Sequence, residues 1–348
     1  MNIKKTKAAI LVEQNKPLLI DYIDLPNKLD YGQILVKVDY SGICGSQLGE
    51  IDGVKGKDPY LPHLLGHEGV GTVIEVGKGV KTVKKSDRVV LHWKKSSGIE
   101  SQLPIYKLKD KKINAGWVTT FNQYSVVSEN RCTSVSKKID LKFASLFGCA
   151  ITTAFGAVEN KAKLKIGENI LVYGSGGIGL NIIQAAKLYS ANKIIAIDLH
   201  DNKLELAKKL GASHTINSKK SDIQTALDSI LDGESLDVFF DNTGKTEVIE
   251  FGYRYTSETG RVILIGVPKK GDNIEIFSLK MHFGKTITGT HGGDGNVAND
   301  IPRYLRLVLD KKLDLSKIVT DIYELDDINQ AIQDIRSGKV SGRCVIKL

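Results

Sequence analysis

The sequence predicts an α/β fold with two parts, a mainly β region and a doubly wound parallel sheet, and two observations carry this prediction. About the first 150 residues contain short β-like runs punctuated by glycine and proline, such as QILVKVDYSG and GVGTVIEVG. From about residue 166, buried-strand runs such as ENILVYG and KIIAID alternate with amphipathic helical patterns. Apolar strands that alternate with helices are typical of a parallel sheet covered by helices on both faces.

Individual segments of the second region follow this alternation and define its limits. NKLELAKKLG predicts a helix that stops at Gly211, because glycine commonly ends helices. LDVFFDNTG and GRVILIGVP predict further buried strands. After about residue 290 the alternation stops, and DIPRYLRLVLDKKL and DDINQAIQDIRSGK predict amphipathic helices before a final strand in GRCVIKL.

The composition is that of a folded chain of about two domains. Its 348 residues and 41% hydrophobic content allow a substantial core. No apolar run approaches the roughly 18 residues of a membrane span. Charges interrupt the opening MNIKKTKAAILVEQNKPLLI too early for a secretory signal, so a first strand or hairpin is the favoured interpretation. We therefore expect no membrane association.

The cysteines and the surplus of positive charge narrow the classes of protein further. Cys44, Cys132, Cys149 and Cys344 are widely spaced, which argues against a disulfide scaffold and favours a reducing cytoplasm. The formal net charge is +9, but the lysines are dispersed and balanced locally by acids, without an aromatic-basic motif. A solvated, lysine-rich surface is therefore favoured over nucleic-acid binding.

A glycine-rich turn predicts dinucleotide binding. VYGSGGIGL contains G-x-G-x-x-G at Gly174, Gly176 and Gly179, after a predicted strand and at the start of a predicted helix. Gly174 permits the tight turn, Gly176 lets the backbone approach a pyrophosphate, and Gly179 lets the helix pack close to the sheet. Together with Gly177 and Ile178, these residues begin the helix whose N-terminus faces the phosphate charge. Without this context, the motif would indicate only a turn.

The residue that ends the next predicted strand indicates the preferred cofactor. Asp198 lies at about the expected distance and can accept hydrogen bonds from both ribose hydroxyls, but it would repel a 2′-phosphate. The sequence therefore predicts NAD in preference to NADP. His200 and Lys203 are near enough in sequence to soften the repulsion, and the alternative is that Asp198 only caps the next helix.

A second candidate site begins with LLGHEGVG, at residues 64–71, which places His67 and Glu68 inside an apolar, glycine-rich run. Cys44 in SGICGSQ and Cys149 in LFGCAITTAFGA supply two further candidate ligands. Two cysteines, one histidine and an open fourth position form a catalytic zinc ligand set. The spacing is long, so a buried inert thiol is the default interpretation for each cysteine taken alone.

Several motifs, in order along almost the whole chain, resemble those of zinc-dependent medium-chain alcohol dehydrogenases. They are GICGS, LLGHEGVGTVIEVGKGV, FGCAITTAFGA, VYGSGGIGL and AKKLGASHTIN. The resemblance implies a β catalytic domain similar to a GroES barrel, formed by residues 1–152 and 291–348, around a Rossmann dinucleotide-binding domain at 153–290. It also implies pairing through the edge of the nucleotide-domain sheet, so we expect a homodimer or homotetramer.

The resemblance also implies roles for residues near the metal. Cys44, His67 and Cys149 would bind one catalytic zinc per chain, and Glu68 would lie behind the metal as a transient ligand. The glycines around His67 and Glu68 would let their strand pass close to the metal. Ser46 would hydrogen-bond the substrate alcohol and pass its proton outward. The alternative for Ser46 is a turn serine that bonds its own backbone.

Three further residues match cofactor-binding positions of the family. Thr153 matches a position that contacts the nicotinamide, and Lys203 matches one that contacts the adenosine ribose. Arg343, in SGRCVIKL, is expected to reach the pyrophosphate. A surface arginine is the alternative there, because the local alignment slips by one residue.

The chain departs from the family in ways that bear on the site. The lobe at residues 94–116 lacks the four cysteines of a structural zinc, so no structural zinc is expected, and a basic solvated loop is the favoured interpretation. Gln47 replaces a common aspartate, and Gly49 replaces a histidine that relays protons in some members. His92 and Trp93 are expected to line the substrate pocket, with His92 as a substitute base. Simple packing is the alternative for both.

The sequence as a whole predicts a cytoplasmic, NAD-linked zinc dehydrogenase that oxidises a small-molecule alcohol, polyol or sugar-like hydroxyl, or reduces the matching carbonyl. Zinc would act as a Lewis acid and the nicotinamide would accept the hydride. The alternatives are a glutathione-type dehydrogenase of thiol-adduct alcohols and a non-catalytic dinucleotide-binding protein. The missing structural cysteines argue against the first, and the retained Cys44, Ser46, His67 and Cys149 argue against the second.

Overall fold

The computed structural model describes residues 3–348, which divide into two compact units. Residues 1–152 and 296–348 form one unit, here called the β unit, and residues 153–295 form the parallel-sheet unit. The first boundary lies where the sequence predicts it, and the second lies five residues later than the predicted start at 291. The helical turn Gly292–Asp294 belongs to the parallel-sheet unit, where the Asn160 side chain donates a 2.8 Å hydrogen bond to the Gly293 carbonyl.

Eighteen strands are found in residues 3–348. They are β1 Lys5–Leu11, β2 Leu19–Asp24, β3 Gln33–Gly42, β4 His63–Leu64, β5 Glu68–Val76, β6 Arg88–His92, β7 Tyr106–Leu108, β8 Lys111–Ile113, β9 Tyr124–Ser128, β10 Cys132–Ser134, β11 Ile170–Tyr173, β12 Ile194–Asp198, β13 His214–Asn217, β14 Val238–Asp241, β15 Arg261–Leu264, β16 Thr286–Gly289, β17 Val319–Glu324 and β18 Arg343–Lys347.

The same part of the chain contains nine α-helices, with short 3₁₀ turns and one π-helical segment, Ala157–Ala162, between elements. The α-helices are α1 Gly45–Ile51, α2 Leu141–Ala144, α3 Ala150–Gly156, α4 Gly177–Leu188, α5 Asp201–Leu210, α6 Ile223–Leu231, α7 Thr246–Tyr255, α8 Val297–Leu309 and α9 Ile328–Arg336.

The β unit consists of two mainly antiparallel sheets, in which β1–β2–β7–β8 with β4 form one and β10–β6–β5–β3–β18–β17 with β9 form the other. Strand β3 runs beside β5, and β5 runs beside β6, so that Glu68 lies opposite His92. Two residues separate the end of β3 from the start of α1. The start of α1 and the start of β5 therefore lie at the same end of the second sheet.

The parallel-sheet unit contains six parallel strands in the order β13–β12–β11–β14–β15–β16. The chain reverses its direction of travel across the sheet between β11 and β14. A ligand binds at such a switch point, outside the carboxyl ends of the strands. Strands β11, β12 and β14 are almost entirely buried, which explains their continuous apolar sequences.

Several predicted elements are confirmed. The helix predicted in NKLELAKKLG is α5, and it ends at Gly211, whose φ of 126° is accessible to glycine at little cost. The helices predicted after residue 290 are α8 and α9, and the final strand is β18.

The prediction of a solvated loop at residues 94–116 is wrong for its second half. Strands β7 and β8 form a hairpin that pairs with β2 and extends the first sheet. Tyr106 and Ile113 enter the core, and the Tyr106 hydroxyl accepts a 2.8 Å hydrogen bond from the Val126 amide. The lysines of the hairpin are exposed. Burial of Tyr106 and Ile113 therefore attaches to the core a hairpin whose basic sequence resembles a loop.

No single helix in residues 3–348 is both long enough and apolar enough to cross a membrane. One bent pair of helical segments, Leu141–Gly148 and Ala150–Ala162, has the length and composition of a membrane span. Most of its residues are buried in the fold.

Candidate metal centre and nucleotide turn

The three predicted metal ligands converge in the structure. Cys44 immediately precedes α1, His67 immediately precedes β5, and Cys149 lies between a 3₁₀ turn and α3. One ligand atom from each of the three residues lies within 4.8 Å of the other two. The His67 Nε2 atom is buried and has no hydrogen-bond partner among the described residues. A buried nitrogen lone pair between two thiols fits a metal ion, and the donor set fits catalytic zinc.

The electrostatics of the cluster favour a thiolate. The hydrogen bond with Cys149 holds the pKa of the Cys44 thiol well below its usual value, against the opposing effect of burial. His67 and Arg343 lower the pKa of Cys44 further. A metal ligand must be the thiolate rather than the thiol. Cys132 is a contrasting case, because burial raises the pKa of its thiol to about 12.

Glu68 is fully buried behind the ligands and has partners for both carboxylate oxygens. Its Oε1 forms an ion pair with Nη2 of Arg343, and its Oε2 accepts a 2.9 Å hydrogen bond from the Ala150 amide. Ala150 follows the ligand Cys149 directly. The carboxylate therefore links the start of β5, directly after His67, to the segment that carries Cys149.

The glycines around His67 are tightly packed against a neighbouring segment. Gly66 has φ +89°, and a Cβ atom there would lie 2.4 Å from Oγ1 of Thr120. A Cβ at Gly69 would lie 2.9 Å from the Thr120 side chain. The absence of side chains at Gly66 and Gly69 thus lets this segment pass close to Thr120, and its close approach to the metal stays a prediction.

Arg343 is only 4% exposed, so the surface interpretation is wrong. Burial lowers the pKa of its guanidinium, and the neighbouring Cys44 opposes that effect. The contact that the structure shows is the ion pair with Glu68 rather than a surface position open to a pyrophosphate. Contact of Arg343 with the pyrophosphate stays a prediction.

His92 does not have the geometry of a catalytic base or a pocket residue, and that prediction is corrected. Its side chain is fully buried, with Nδ1 2.7 Å from the Lys94 carbonyl oxygen and Nε2 2.9 Å from Oγ1 of Thr133. Both ring nitrogens are therefore used within the fold. Burial lowers the pKa of His92 to about 4, so the ring is neutral at pH 7. The packing interpretation describes this residue.

Three other predicted residues lie beside the ligands. The Ser46 hydroxyl donates a 3.4 Å hydrogen bond to Sγ of Cys44, which places it next to the metal centre. The Trp93 ring meets the His67 ring edge-on, with centroids 6.5 Å apart. Gln47 accepts a hydrogen bond from the Gly66 amide and donates one of 2.9 Å to Glu50. Gln47 thereby supports the backbone that precedes His67.

A second set of candidate ligands, Glu50, Asp58 and His63, lies beyond Gln47, with ligand atoms within 4.8 Å of one another. Its polar atoms already have partners. Nε2 of His63 lies 2.8 Å from Oδ2 of Asp58, and Nδ1 of His63 lies 2.9 Å from the Leu64 carbonyl oxygen. An ion pair explains this arrangement.

The glycine-rich turn has the geometry expected of a phosphate-binding turn. Gly174 has φ +91°, which the tight turn requires. A Cβ at Gly179 would lie 2.1 Å from the Gly174 carbonyl oxygen, so only glycine fits. A Cβ at Gly176 would meet nothing within 4 Å, which leaves that backbone open to a ligand. Gly177 and Ile178 form the first turn of α4.

Asp198 ends β12 beside this turn. Its Oδ2 accepts a 2.8 Å hydrogen bond from the Ser175 amide, and its Oδ1 accepts bonds from the Leu199 and His200 amides. The residue that caps α5 is His200, so the helix-cap interpretation of Asp198 is wrong. Lys203 lies in the first turn of α5.

Thr153 is buried in α3. Its contact with the nicotinamide, like the contact of Lys203 with the ribose, stays a prediction.

The sequence does not identify two further residues near these sites. Asp241 ends β14 as Asp198 ends β12, and its carboxylate accepts bonds from Thr243 and Gly244 that shape the loop at the switch point. The aspartate at the end of LDVFFDNTG is a signal that could have found it. Arg131 contacts Trp93 and Trp117, and no motif marks it.

The comparisons with known proteins agree with this geometry. The model of the alcohol dehydrogenase GroES-like domain matches residues 30–137, and the model of zinc-binding dehydrogenases matches residues 177–310. S-(hydroxymethyl)glutathione dehydrogenase from Synechocystis sp. is 31% identical over 96% of this chain and 98% of its own length. The enzyme of that name from Escherichia coli is 30% identical over 99% of this chain and 100% of its own length.

Solved structures lead to the same family. Benzyl alcohol dehydrogenase from Acinetobacter calcoaceticus is 28% identical and superimposes with a TM-score of 0.89, covering 99% of this chain and 100% of its own. An alcohol dehydrogenase zinc-binding domain protein from Burkholderia ambifaria is 27% identical, with a TM-score of 0.89 and 99% coverage of both chains. The present chain belongs to the zinc-dependent medium-chain alcohol dehydrogenase family, whose members are zinc-dependent oxidoreductases that typically use NAD.

Proposed function

We propose that this protein catalyses the reversible, NAD-linked oxidation of a small-molecule alcohol to the corresponding carbonyl compound at the cluster of Cys44, His67 and Cys149. The observation that carries the proposal is the buried, unpartnered Nε2 of His67 between two cysteine thiols. Zinc, when bound, supplies a Lewis acid for the alcohol oxygen, and NAD supplies the hydride acceptor.

The residues around the cluster handle the proton and hold the ligands. The Ser46 hydroxyl is half-buried and next to Cys44, so it can accept the proton of the substrate hydroxyl and release it toward solvent. Glu68 holds the segments of His67 and Cys149 together, because it accepts a hydrogen bond from the Ala150 amide. Its ion pair with Arg343 keeps the carboxylate in place. Such support around a ligand fixes its orientation and affinity for the metal.

The glycine-rich turn and Asp198 bind the cofactor in this proposal. The open backbone at Gly176 and the N-terminus of α4 receive the pyrophosphate. The Asp198 carboxylate accepts hydrogen bonds from the ribose hydroxyls and repels a 2′-phosphate, which favours NAD over NADP. Thr153 and Lys203 complete the cofactor contacts at the nicotinamide and the ribose.

A second candidate is oxidation of S-(hydroxymethyl)glutathione. The names of curated relatives that are 30–31% identical over nearly the whole chain support it. The absence of cysteines at residues 94–116 distinguishes this chain from the branch of the family with a structural zinc. Direct comparison of this substrate with simple alcohols separates the two candidates.

We also propose a cytoplasmic homo-oligomer. All four cysteines are free and buried, which suits a reducing compartment.

Strand β16 is the edge of the parallel sheet, and the adjacent segment Ser278–Phe283 buries none of its side chains. Apolar groups at Phe277 and Phe283 are about two-thirds exposed there. An exposed edge strand beside apolar side chains supports pairing of two subunits. A light-scattering mass of one chain in solution would refute the oligomer.

The proposed activity is tested by following NADH formation with ethanol, benzyl alcohol, 2,3-butanediol, sorbitol and S-(hydroxymethyl)glutathione. We expect turnover with at least one simple alcohol and a preference for NAD over NADP. Ser46→Ala should retain zinc and NADH binding but lower kcat about 100-fold or more, because general acid–base catalysis contributes about that much. Full activity of Ser46→Ala would remove Ser46 from the proton path. No turnover with any substrate by a zinc-loaded protein would contradict the proposal.

A further inference from the structure

Both tryptophans of the chain belong to one cluster in the β unit, together with Arg131. The Trp93 ring stands edge-on to the ring of His67, at an angle of 61° and a centroid distance of 6.5 Å. The Trp117 ring lies under the Arg131 guanidinium, 5.1 Å from its central carbon, and this tryptophan is 44% exposed. One tryptophan therefore lies beside a metal ligand, and the other lies at the surface of the unit.

Arg131 contacts both tryptophans. Its side chain is buried, with Nη1 donating to the Trp93 carbonyl oxygen and Nη2 donating a 2.8 Å hydrogen bond to Glu100. The guanidinium plane covers Trp117 at the same time. One planar group thus meets a backbone carbonyl, a carboxylate and an aromatic face, a combination that lysine cannot reproduce.

The backbone on either side of Trp93 is fixed as well. The His92 ring lies within hydrogen-bond distance of the Lys94 carbonyl oxygen and of Thr133. Arg131 belongs to the 3₁₀ turn Glu129–Arg131, which leads into β10, and β10 pairs with β6. The hydrogen bond to the Trp93 carbonyl therefore fixes the backbone from which the indole reaches His67.

We propose that Arg131 is a positioning residue that holds the Trp93 indole against the metal centre and so sets the width of the substrate space beside it. This inference rests on the proposed alcohol oxidation. The edge of a rigid indole accommodates a flat or unbranched alcohol, whereas a group that branches near the hydroxyl-bearing carbon overlaps it. Arg131 therefore selects planar and unbranched alcohols over branched and cyclic aliphatic ones.

The first test uses fluorescence and does not depend on turnover. In a Trp117→Phe background, Trp93 is the only tryptophan, so its quenching by acrylamide measures access to that side chain. We expect Arg131→Met to raise the quenching constant of Trp93, and Arg131→Lys to raise it less. Lys95→Met is the matched control, because Lys95 is also paired with Glu100, at 3.7 Å, but on the exposed surface. It should leave the quenching unchanged.

The second test measures selectivity in the Trp117-containing protein. The ratio of kcat/KM for benzyl alcohol to kcat/KM for cyclohexanol should fall about 10-fold in Arg131→Met, mainly through KM, because pocket shape is worth about that much in discrimination. Lys95→Met should keep the ratio of the unaltered protein. A purely structural role would lower both activities together and leave the ratio unchanged.

The outcomes separate this inference from the proposed function. If zinc-loaded Arg131→Met keeps both the quenching of Trp93 and the selectivity ratio, the inference is wrong and Arg131 only anchors the chain near Glu100. If no alcohol is oxidised by the unaltered protein, the proposed function fails, and the quenching still decides whether Arg131 positions Trp93. If Arg131→Met does not fold, the quenching of Arg131→Lys decides, and an unchanged constant overturns the inference.

Discussion

The nucleotide turn and the metal centre are built in opposite ways. The turn is one continuous stretch, residues 174–179, whose shape depends on the positive φ of Gly174 and on the missing side chain of Gly179. The metal centre assembles Cys44, His67 and Cys149 from separate segments, with Arg343 from the last strand supporting them. The turn therefore depends on local sterics, whereas the metal centre depends on charges that are buried and paired across the chain.

This difference predicts how each site fails. A substitution in the turn should act on one loop and on cofactor affinity. A substitution in the metal centre should act on the stability of the β unit as well as on the reaction, because an unpaired buried charge destabilises the fold. Five substitutions, from the largest expected effect to the smallest, test this difference.

The largest effect is expected for Cys149→Ala. Loss of one of three protein ligands removes zinc, and we predict that kcat/KM falls at least about ten-thousandfold, or about 5.5 kcal/mol of transition-state stabilisation. Cys132→Ala is the matched control, because Cys132 is also buried in the β unit but lies outside the cluster. It should keep its zinc and most of its activity. Equal losses in the two variants would show that a thiol in the core, rather than the metal centre, matters.

Arg343→Met should have the next largest effect. It leaves the Glu68 carboxylate fully buried without its counter-charge, so we expect the free energy of unfolding in urea to fall by about 3 to 5 kcal/mol. The double variant Glu68→Gln/Arg343→Met should recover most of that loss. In the exposed pair Lys347–Glu324, 3.1 Å apart and on the same strand as Arg343, Lys347→Met should cost less than about 1 kcal/mol. A small effect of Arg343→Met would mean that the ion pair contributes little.

Two substitutions in the turn sharpen the contrast. Gly179→Ala places a methyl group 2.1 Å from the Gly174 carbonyl, so we expect a loss of up to about 3 kcal/mol in unfolding free energy.

The methyl group of Gly176→Ala meets no atom within 4 Å, so the unfolding free energy should change by less than about 0.5 kcal/mol while NADH affinity falls. Fluorescence titration with NADH measures the second effect. If Gly176→Ala bound NADH normally, the pyrophosphate would not lie against that backbone.

Substitution of His92 should have the smallest effect on activity, and its effect on stability should depend on pH. Its folded pKa of about 4 is below the ordinary value of 6.5, so the stabilising contribution is complete above pH 6.5 and is lost as the pH falls toward 4. Between pH 7.5 and pH 5, the unaltered protein should lose about 2 kcal/mol more unfolding free energy than His92→Gln. The kcat of His92→Gln at pH 7.5 should stay within about threefold. A much larger fall in kcat would restore His92 as a catalytic residue.

Sequence reasoning succeeds where the physical constraint is local. The glycine turn, Asp198 after β12 and the helix end at Gly211 follow from backbone rules that act over a few residues. The metal ligands are far apart in sequence, and only the resemblance to a family joins Cys44 with Cys149 before the structure is known. Their convergence within 4.8 Å is a result of the fold.

The errors concern residues whose partners are distant. His92 resembles a free base in the sequence, but the Thr133 hydroxyl and the Lys94 carbonyl occupy its nitrogens. For Arg343 only the alternative of a surface residue is wrong, because β18 brings its side chain to Glu68. The basic segment at residues 94–116 folds because Tyr106 enters the core. No periodicity or motif encodes such pairings, since each depends on which strands become neighbours.

The central claim is that Cys44, His67 and Cys149 form a catalytic metal site. Elemental analysis of the purified protein, with and without Cys149→Ala, tests it most directly. We predict about one zinc per chain in the unaltered protein and none in Cys149→Ala. A protein that folds normally and binds NADH but holds no zinc, even when purified with zinc present, would contradict it.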